Sequence, residues 1–290
     1  MKLSKIYPNY MLILPLAVFT VFFLIPSTIG FLYAFTDWNP YLDKIKFVGL
    51  ANFKEIVFNR TLQIATVNTL SFACIKTVMV TVIGIVIALI LNRKLKGRNL
   101  LRTVYFLPCV FSSLVVGLIF AALFDVNNGV VNVTLTQLGL AHWTQEWLGR
   151  RIPALVTINL AEIWRSAGYG IVITLAALQT IPEEYLEAAK MDGANGWQKF
   201  RHITLPMILP AINVSVLFSL IYGLKMFDLV YLLTRGGPGH DTETFGTLIL
   251  NEFAQDRYAQ SVAINLVFSG ILVLVAYGYQ RFMKRTEVEL

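Results

Sequence analysis

The chain has 290 residues, of which 56% are hydrophobic and 14% charged, against about 25% charged in an ordinary soluble domain. With a mean hydropathy of +0.65, this composition excludes a soluble globular fold, a disordered chain and a disulfide scaffold. The net charge of +7, from 24 basic and 17 acidic residues, sits between long apolar runs, where it sets membrane topology rather than gripping nucleic acid.

A bilayer core of about 30 Å needs about 20 apolar residues in a helix. Six runs meet that demand, which predicts an all-α membrane protein with six transmembrane helices. The first lies within Ile6–Thr36, has no charged residue, and carries Pro15 and Pro26 as candidate kinks. It follows Lys2 and Lys5 as a signal peptide would, yet it is too long for a signal core of 7–15 residues and no A-x-A site follows. The expectation is a retained helix. The second run is Thr66–Leu91, with Lys76 inside, and the third is Thr103–Phe124. The fourth, Pro153–Gln179, carries Glu162 and Arg165, and the fifth, Leu205–Leu233, carries Lys225 and Asp228. The sixth is Ala259–Gln280.

Loop charges orient the spans. With the N-terminus in the cytoplasm, inside segments hold 13 Lys and Arg and outside segments hold 8, the firmest cluster being Arg93, Lys94, Lys96, Arg98 and Arg102. The bias places both termini inside. The expected unit is a single transmembrane domain over 1–290, with a core over about 66–283.

The segment 180–205 stands apart from the spans. Thr180 with Glu183 three residues on predicts a capping box, and Pro182 with Glu183 and Glu184 predicts a helix start. Gly193 suits a left-handed stop, and Asn195 with Gln198 predicts a second cap. Small residues Ala188, Ala189 and Ala194 beside the Glu187 carboxylate suit close approach to a partner's groove. A helix lying flat on the membrane would instead want lysine and arginine on its polar face, and here Glu183, Glu184 and Glu187 cluster.

Glu187-Ala188-Ala189, Asp192-Gly193-Ala194 and Ile203-Thr204-Leu205-Pro206 together resemble the EAA loop of permease subunits of bacterial ABC importers, in the D-G-A form of the carbohydrate importers. Phe227-Asp228-Leu229, Thr234-Arg235-Gly236-Gly237-Pro238 and Thr242-Glu243-Thr244 are similar to the stretch around the fifth span of maltose-type and glycerol-phosphate-type first permease subunits. The resemblance implies the type I importer permease fold in a bacterial or archaeal inner or plasma membrane. It implies a heterodimer with a second permease, two ATP-binding subunits that carry ATP-Mg, and an extracytoplasmic solute-binding protein. Glu187, Ala188, Ala189, Asp192, Gly193 and Ala194 would then form the ATPase-coupling element, and the loop around Gly236–Pro238 would lie near the binding protein. The implied function is sugar or oligosaccharide import, with glycerol phosphate or another polar solute as the alternative.

The residues themselves carry no phosphate loop, no H-E-x-x-H and no G-x-S-x-G. His142, His202 and His240 fall in loops or at span edges, so no catalytic constellation and no cofactor site is expected on this chain. Cys74 and Cys109 lack ligand-like neighbours and read as small core residues. Charges within spans are functional candidates by default. Glu162 with Arg165, and Lys225 with Asp228, are each three apart and read as intrahelical pairs. The favoured reading makes them structural pairs at the span ends or the subunit seam; the sharper one makes them, together with Trp164, Tyr169 and Asn213, the pathway candidates, and Lys76 is expected to pair with Glu162 or Asp228. An ion-coupled secondary transporter is the remoter alternative, but no internal repeat supports it. An intramembrane enzyme would need a nucleophile–base or metal set that the spans do not carry.

Overall fold

The computed structural model describes residues 9–93 and 95–283, which are mostly helical with no β-strand among them. Of the charges that orient the spans, Lys2, Lys5, Lys94, Lys284 and Arg285 lie outside the described residues. Contacts divide the chain into two compact units, the described parts of 1–62 with 248–270 and of 63–247 with 271–290.

In the first unit, α1 (Ile13–Phe19), a π-helical turn (Thr20–Leu24) and α2 (Ile25–Tyr33) run on as one apolar helix, Tyr10–Tyr33. The widened turn follows from Pro26, whose ring would strike the carbonyl four residues back; the Ile25 N–H reaches Thr20 O instead. The side chains of this helix point outward, Phe22 being 77% exposed, as expected of a helix solvated by lipid. Beyond it, Asn52 of α3 (Ala51–Val57) donates to the carbonyls of Ala34 and Thr36 at 2.8 Å each, closing the loop between α2 and α3. Trp38 stacks on Tyr33 at 4.6 Å and meets Tyr258, the first residue of α14 (Tyr258–Met283), edge-on at 5.7 Å. At the end of α13 (Phe245–Ala254), Arg257 closes a 2.6 Å ion pair on Glu252.

The second unit is built on α4 (Arg60–Leu91), α5 (Arg98–Val110), α6 (Ser113–Leu123), α8 (Arg151–Gln179) and α11 (Leu205–Leu224). Between α6 and α8 lies the short α7 (Val130–Gln137), pinned by Asn132, whose side chain bonds Val126 O, Gln145 O and Trp147 Nε1. One core cluster joins Phe72, Val116, Phe120, Ile158 and Met226; a second joins Ala88, Ile171, Leu175, Ile208 and Ile212. Where α4 crosses α8 the backbones nearly touch, since a Cβ on Gly84 would lie 2.9 Å from the Gly170 carbonyl carbon. Small residues at such a crossing are how membrane helices gain packing without a hydrophobic driving force.

Among the described residues four helices, Tyr10–Tyr33, Arg60–Leu91, Gly196–Leu224 and Tyr258–Met283, are long and apolar enough to cross a membrane. The expected third span begins earlier, at Arg98, and bends by 97° between α5 and α6. Phe111 takes an extended conformation after Pro108, and Ser112 then caps α6 by accepting from the Val115 N–H. The expected fourth span, α8, is 29 residues long but is interrupted by charge and amide groups that it buries, Asn159 and Glu162.

The expected fifth span ends at Leu224, and a short α12 (Asp228–Leu233) follows the break. Phe227, at φ −136°, is not helical. Lys225 and Asp228 therefore lose the three-apart register, and no ion pair joins them among the described residues. The break is held from outside. Thr244 Oγ1 donates to Met226 O at 3.0 Å, the Phe245 N–H donates to Thr69 Oγ1, and Asn68 donates to the carbonyls of Asp241 and Glu243. Thr242, Glu243 and Thr244 are wholly buried, so this part of the 234–244 stretch is a polar knot that fixes the break.

Candidate functional site: a charged cavity and a docking loop

A cavity of about 400 Å³ opens among α4, α5, α8 and α11. α8 presents Glu162, Arg165, Ser166, Tyr169 and Ile173, and α11 presents Ser215, Phe218, Ser219 and Tyr222. Both sets recur at three- and four-residue intervals, so each lines one helical face.

Glu162 is the hub. It accepts from Lys76 Nζ at 2.6 Å, from Arg165 Nε and Nη2 at 3.1 and 2.8 Å, and from Ser166 Oγ at 2.9 Å. Lys76 and Glu162 are 4% and 5% exposed at their side chains, and Arg165 is 28% exposed. Arg165 Nη1 also donates to Ser113 Oγ, and that hydroxyl donates to Asp228 Oδ2 at 2.9 Å. The expected Glu162–Arg165 pair is thus present, and Lys76 takes Glu162 rather than Asp228. Lys76 also lies 5.8 Å from the centre of the Tyr222 ring, within cation–π range.

The other pathway candidates fall elsewhere. Asn213 is buried outside the cavity lining, and its carbonyl accepts from Tyr279. Lys225 is exposed beyond the end of α11. Asp228 reaches the cluster only through Ser113, and Trp164 packs on Phe111 and Phe120. Neither cysteine is a core residue. Cys74 is exposed on α4, and Cys109 lines the cavity with its thiol donating to Arg165 O. Sequence reasoning missed Ser166, Ser215, Ser219 and Tyr222; the signal available was the helical recurrence of Ser215, Phe218, Ser219 and Tyr222.

The second site is the loop after α8. α9 (Glu183–Met191) begins with Pro182 in an extended conformation at the cap position and two glutamates in the first turn. The expected Thr180 capping box does not form, because the Thr180 hydroxyl donates back to Ala177 O and completes the end of α8. α9 ends in a Schellman motif: Gly193 has φ +77°, the Ala194 N–H bonds Ala189 O and the Gly193 N–H bonds Lys190 O. Asn195 and Gln198 form the expected reciprocal capping box on α10 (Gly196–Lys199). A π-helical turn, Phe200–Thr204, then leads into α11 ahead of Pro206. Glu187, Ala188, Asp192 and Gly193 are exposed, Ala194 is half-buried and Ala189 is buried. Tyr185, Met191 and Trp197 are 55%, 87% and 65% exposed, an apolar surface on an otherwise polar loop.

Residues 80–287 match the family described as binding-protein-dependent transport system inner membrane component. The chain belongs to that family. Across 287 residues it is 33% identical to the multiple sugar-binding transport system permease protein MsmF of Streptococcus mutans, covering 99% of this chain and 98% of that protein. Across 267 residues it is 32% identical to the trehalose/maltose transport system permease protein MalF of Thermococcus litoralis, covering 92% and 90%. Its fold superposes on a permease chain from the crystal structure of a bacterial ABC transporter that imports the acidic polysaccharide alginate, with a TM-score of 0.83, 26% identity and coverage of 95% and 94%.

Proposed function

We propose that the chain is one of two permease subunits of an ATP-driven importer for an uncharged sugar or oligosaccharide. It crosses the membrane six times with both termini in the cytoplasm. A solute-binding protein delivers substrate from outside, and the segment 180–205 docks in an ATPase subunit that carries ATP-Mg. Glu187, Ala188, Ala189, Asp192, Gly193 and Ala194 form the contact, Ala189 and Gly193 by setting its shape. The exposed Tyr185, Met191 and Trp197 are the apolar surface such a dock would cover. Energy enters as a difference in affinity for two states of the assembly; this chain breaks no covalent bond.

The observation that carries the substrate reading is that both cations of the cavity are spent on Glu162. Lys76 (+1), Arg165 (+1) and Glu162 (−1), with Asp228 (−1) linked through Ser113, sum to zero. A phosphorylated solute would want arginines and lysines free to converge on it. A polyol wants hydroxyls and ring faces, which Ser166, Ser215, Ser219, Tyr169 and Tyr222 supply. The names of the sugar-transport relatives agree with this reading. The test is uptake into proteoliposomes holding the tagged chain with its co-purifying subunits and binding protein. ATP-dependent accumulation of neutral oligosaccharides with none of glycerol phosphate is expected. Preference for glycerol phosphate would overturn the substrate class, and recovery of the chain alone from native membranes, under conditions that preserve a known importer, would overturn the assembly.

A further inference from the structure

α5 and α8 cross where Gly168 meets α5: a Cβ there would lie 2.8 Å from Tyr105 O and 3.1 Å from Phe106 Cα. Beside this crossing is a recess of about 210 Å³, lined by Arg102 and Phe106 of α5 and by Ile171, Val172, Leu175 and Gln179 of α8, among others. Apart from Arg102 and Gln179 its walls are apolar, and Gln179 is the last residue of α8, so the recess lies at the end of that helix from which the 180–204 loop departs. Within it the Arg102 side chain is anomalous. Its Nε and Nη2 are buried and have no hydrogen-bond partner. A guanidinium is always charged, and buried charged donors are ordinarily paired. A positive-inside bias accounts for a basic residue here but not for burying its guanidinium nitrogens, and the charge network of the central cavity does not use it.

We propose that Arg102 and this recess hold the phosphate of an anionic phospholipid in the leaflet on the docking-loop side. Three observations favour a lipid. The Nε–H and Nη2–H of Arg102 are unpaired and closed off from solvent beside the recess, so a turn of the side chain into the recess would bring this edge of the guanidinium fork, whose geometry matches two oxygens of a phosphate, to a headgroup. The recess is walled by apolar side chains that are themselves partly exposed, Phe106 at 37% and Val172 at 46%, a surface suited to acyl chains. Arg93, Lys96 and Arg98 precede Arg102 in the chain, and a basic run at a membrane face concentrates anionic headgroups. The site is separate from the substrate cavity, so it stands whether or not the solute is a sugar. It also places a lipid beside the helix end that feeds the docking loop.

The test is native mass spectrometry of the intact importer complex extracted from vesicles of equal phosphatidylglycerol and phosphatidylcholine. The wild type is expected to retain phosphatidylglycerol selectively. Arg102→Gln should lower that retention by about tenfold or more, the factor expected from losing a charge-assisted hydrogen bond. Arg93→Gln, an exposed member of the same basic run, should lower it by about fivefold or less, through surface potential alone. Ala176→Phe, which fills the recess but keeps the charge, should also release the lipid. Equal retention of the two lipids, equal effects of the two arginine substitutions, or full retention in Ala176→Phe would each overturn the proposal. So would dissociation of the subunits in Arg102→Gln with lipid unchanged, which would assign Arg102 to an acidic residue of a neighbouring subunit.

Discussion

Removing the Glu162 carboxylate should be the most damaging single change in the cavity. Glu162→Gln keeps the shape and removes the charge that faces two cations. Arg165, 28% exposed, can turn toward water, but Lys76, at 4%, cannot. Breaking a buried pair by deleting one partner costs about 3–5 kcal/mol, because the other charge is left uncompensated. Lys76→Met, which strands the carboxylate with Arg165 alone, should cost less, since one cation still balances it. The double variant Lys76→Met with Glu162→Gln removes the stranded ammonium, and it should be more stable than Glu162→Gln alone by about 1–3 kcal/mol, the coupling expected of residues in direct contact. The assay is equilibrium unfolding in mixed micelles, read by tryptophan fluorescence, for the four members of the cycle. If Glu162→Gln unfolds like the wild type, or if adding Lys76→Met makes it worse, the carboxylate is not compensating a buried ammonium. The charge-balance argument for an uncharged substrate would then fall with it.

Three further outcomes follow from named contacts. Gly193→Pro, which fixes φ near about −65° where the Schellman turn has +77°, and Glu187→Lys should each abolish ATP-driven uptake while leaving membrane insertion intact; normal uptake in both would remove the docking role from this loop. Asn195→Ala deletes the α10 cap and should cost about 0.5–2 kcal/mol locally, seen as faster amide exchange over 195–200 with exchange in α8 unchanged. Gly84→Leu forces a side chain against the Gly170 backbone and should destabilise the α4–α8 crossing by about 1–3 kcal/mol, measured as a lower unfolding midpoint than for Gly30→Leu, where a Cβ meets nothing.

The long apolar helices were legible because apolar runs of this length have one common solution in a bilayer, though four single helices and one bent pair, not six, pass as spans among the described residues, and the turns of the 180–204 loop were legible because caps are local. Asn195, Gln198 and Gly193 act on their own backbone within a few residues, so spacing alone exposes them. Thr180 failed as a cap for the same local reason, since a nearer carbonyl, Ala177 O, captured its hydroxyl. The breaks were not legible. Lys225 and Asp228 mark Leu224–Asp228 as less apolar, but two charges three apart also suit a continuous helix, while the interruption there depends on Thr244 and on Asn68 and Thr69, which are distant in sequence. The cavity was half legible. Glu162 and Arg165 announced themselves as charges inside an apolar run, and Lys76 was narrowed to two partners. Its serine and tyrosine lining looked like ordinary helix composition, because which face meets a cavity is decided by tertiary packing.

The 180–204 loop and the cavity are joined by short stretches of chain. α8 carries the Glu162 face and ends at Gln179, and α9 begins at Glu183. On the other side α10 passes through the π-helical turn into α11 without a gap, and α11 carries the Ser215–Tyr222 face. The two helices are clamped to each other at the loop end by Ile171, Leu175, Leu178, Ile208 and Ile212. The loop is therefore the connection between the two helices that line much of the cavity, with three non-helical residues, 180–182, on the α8 side and a continuous helical path on the α11 side. Packed helices of this kind move as units rather than deforming continuously. If the loop docks on a partner as proposed, a shift of the loop would tilt both faces together. Capping and the Schellman turn matter to transport on this account because they make the loop rigid enough to transmit that tilt.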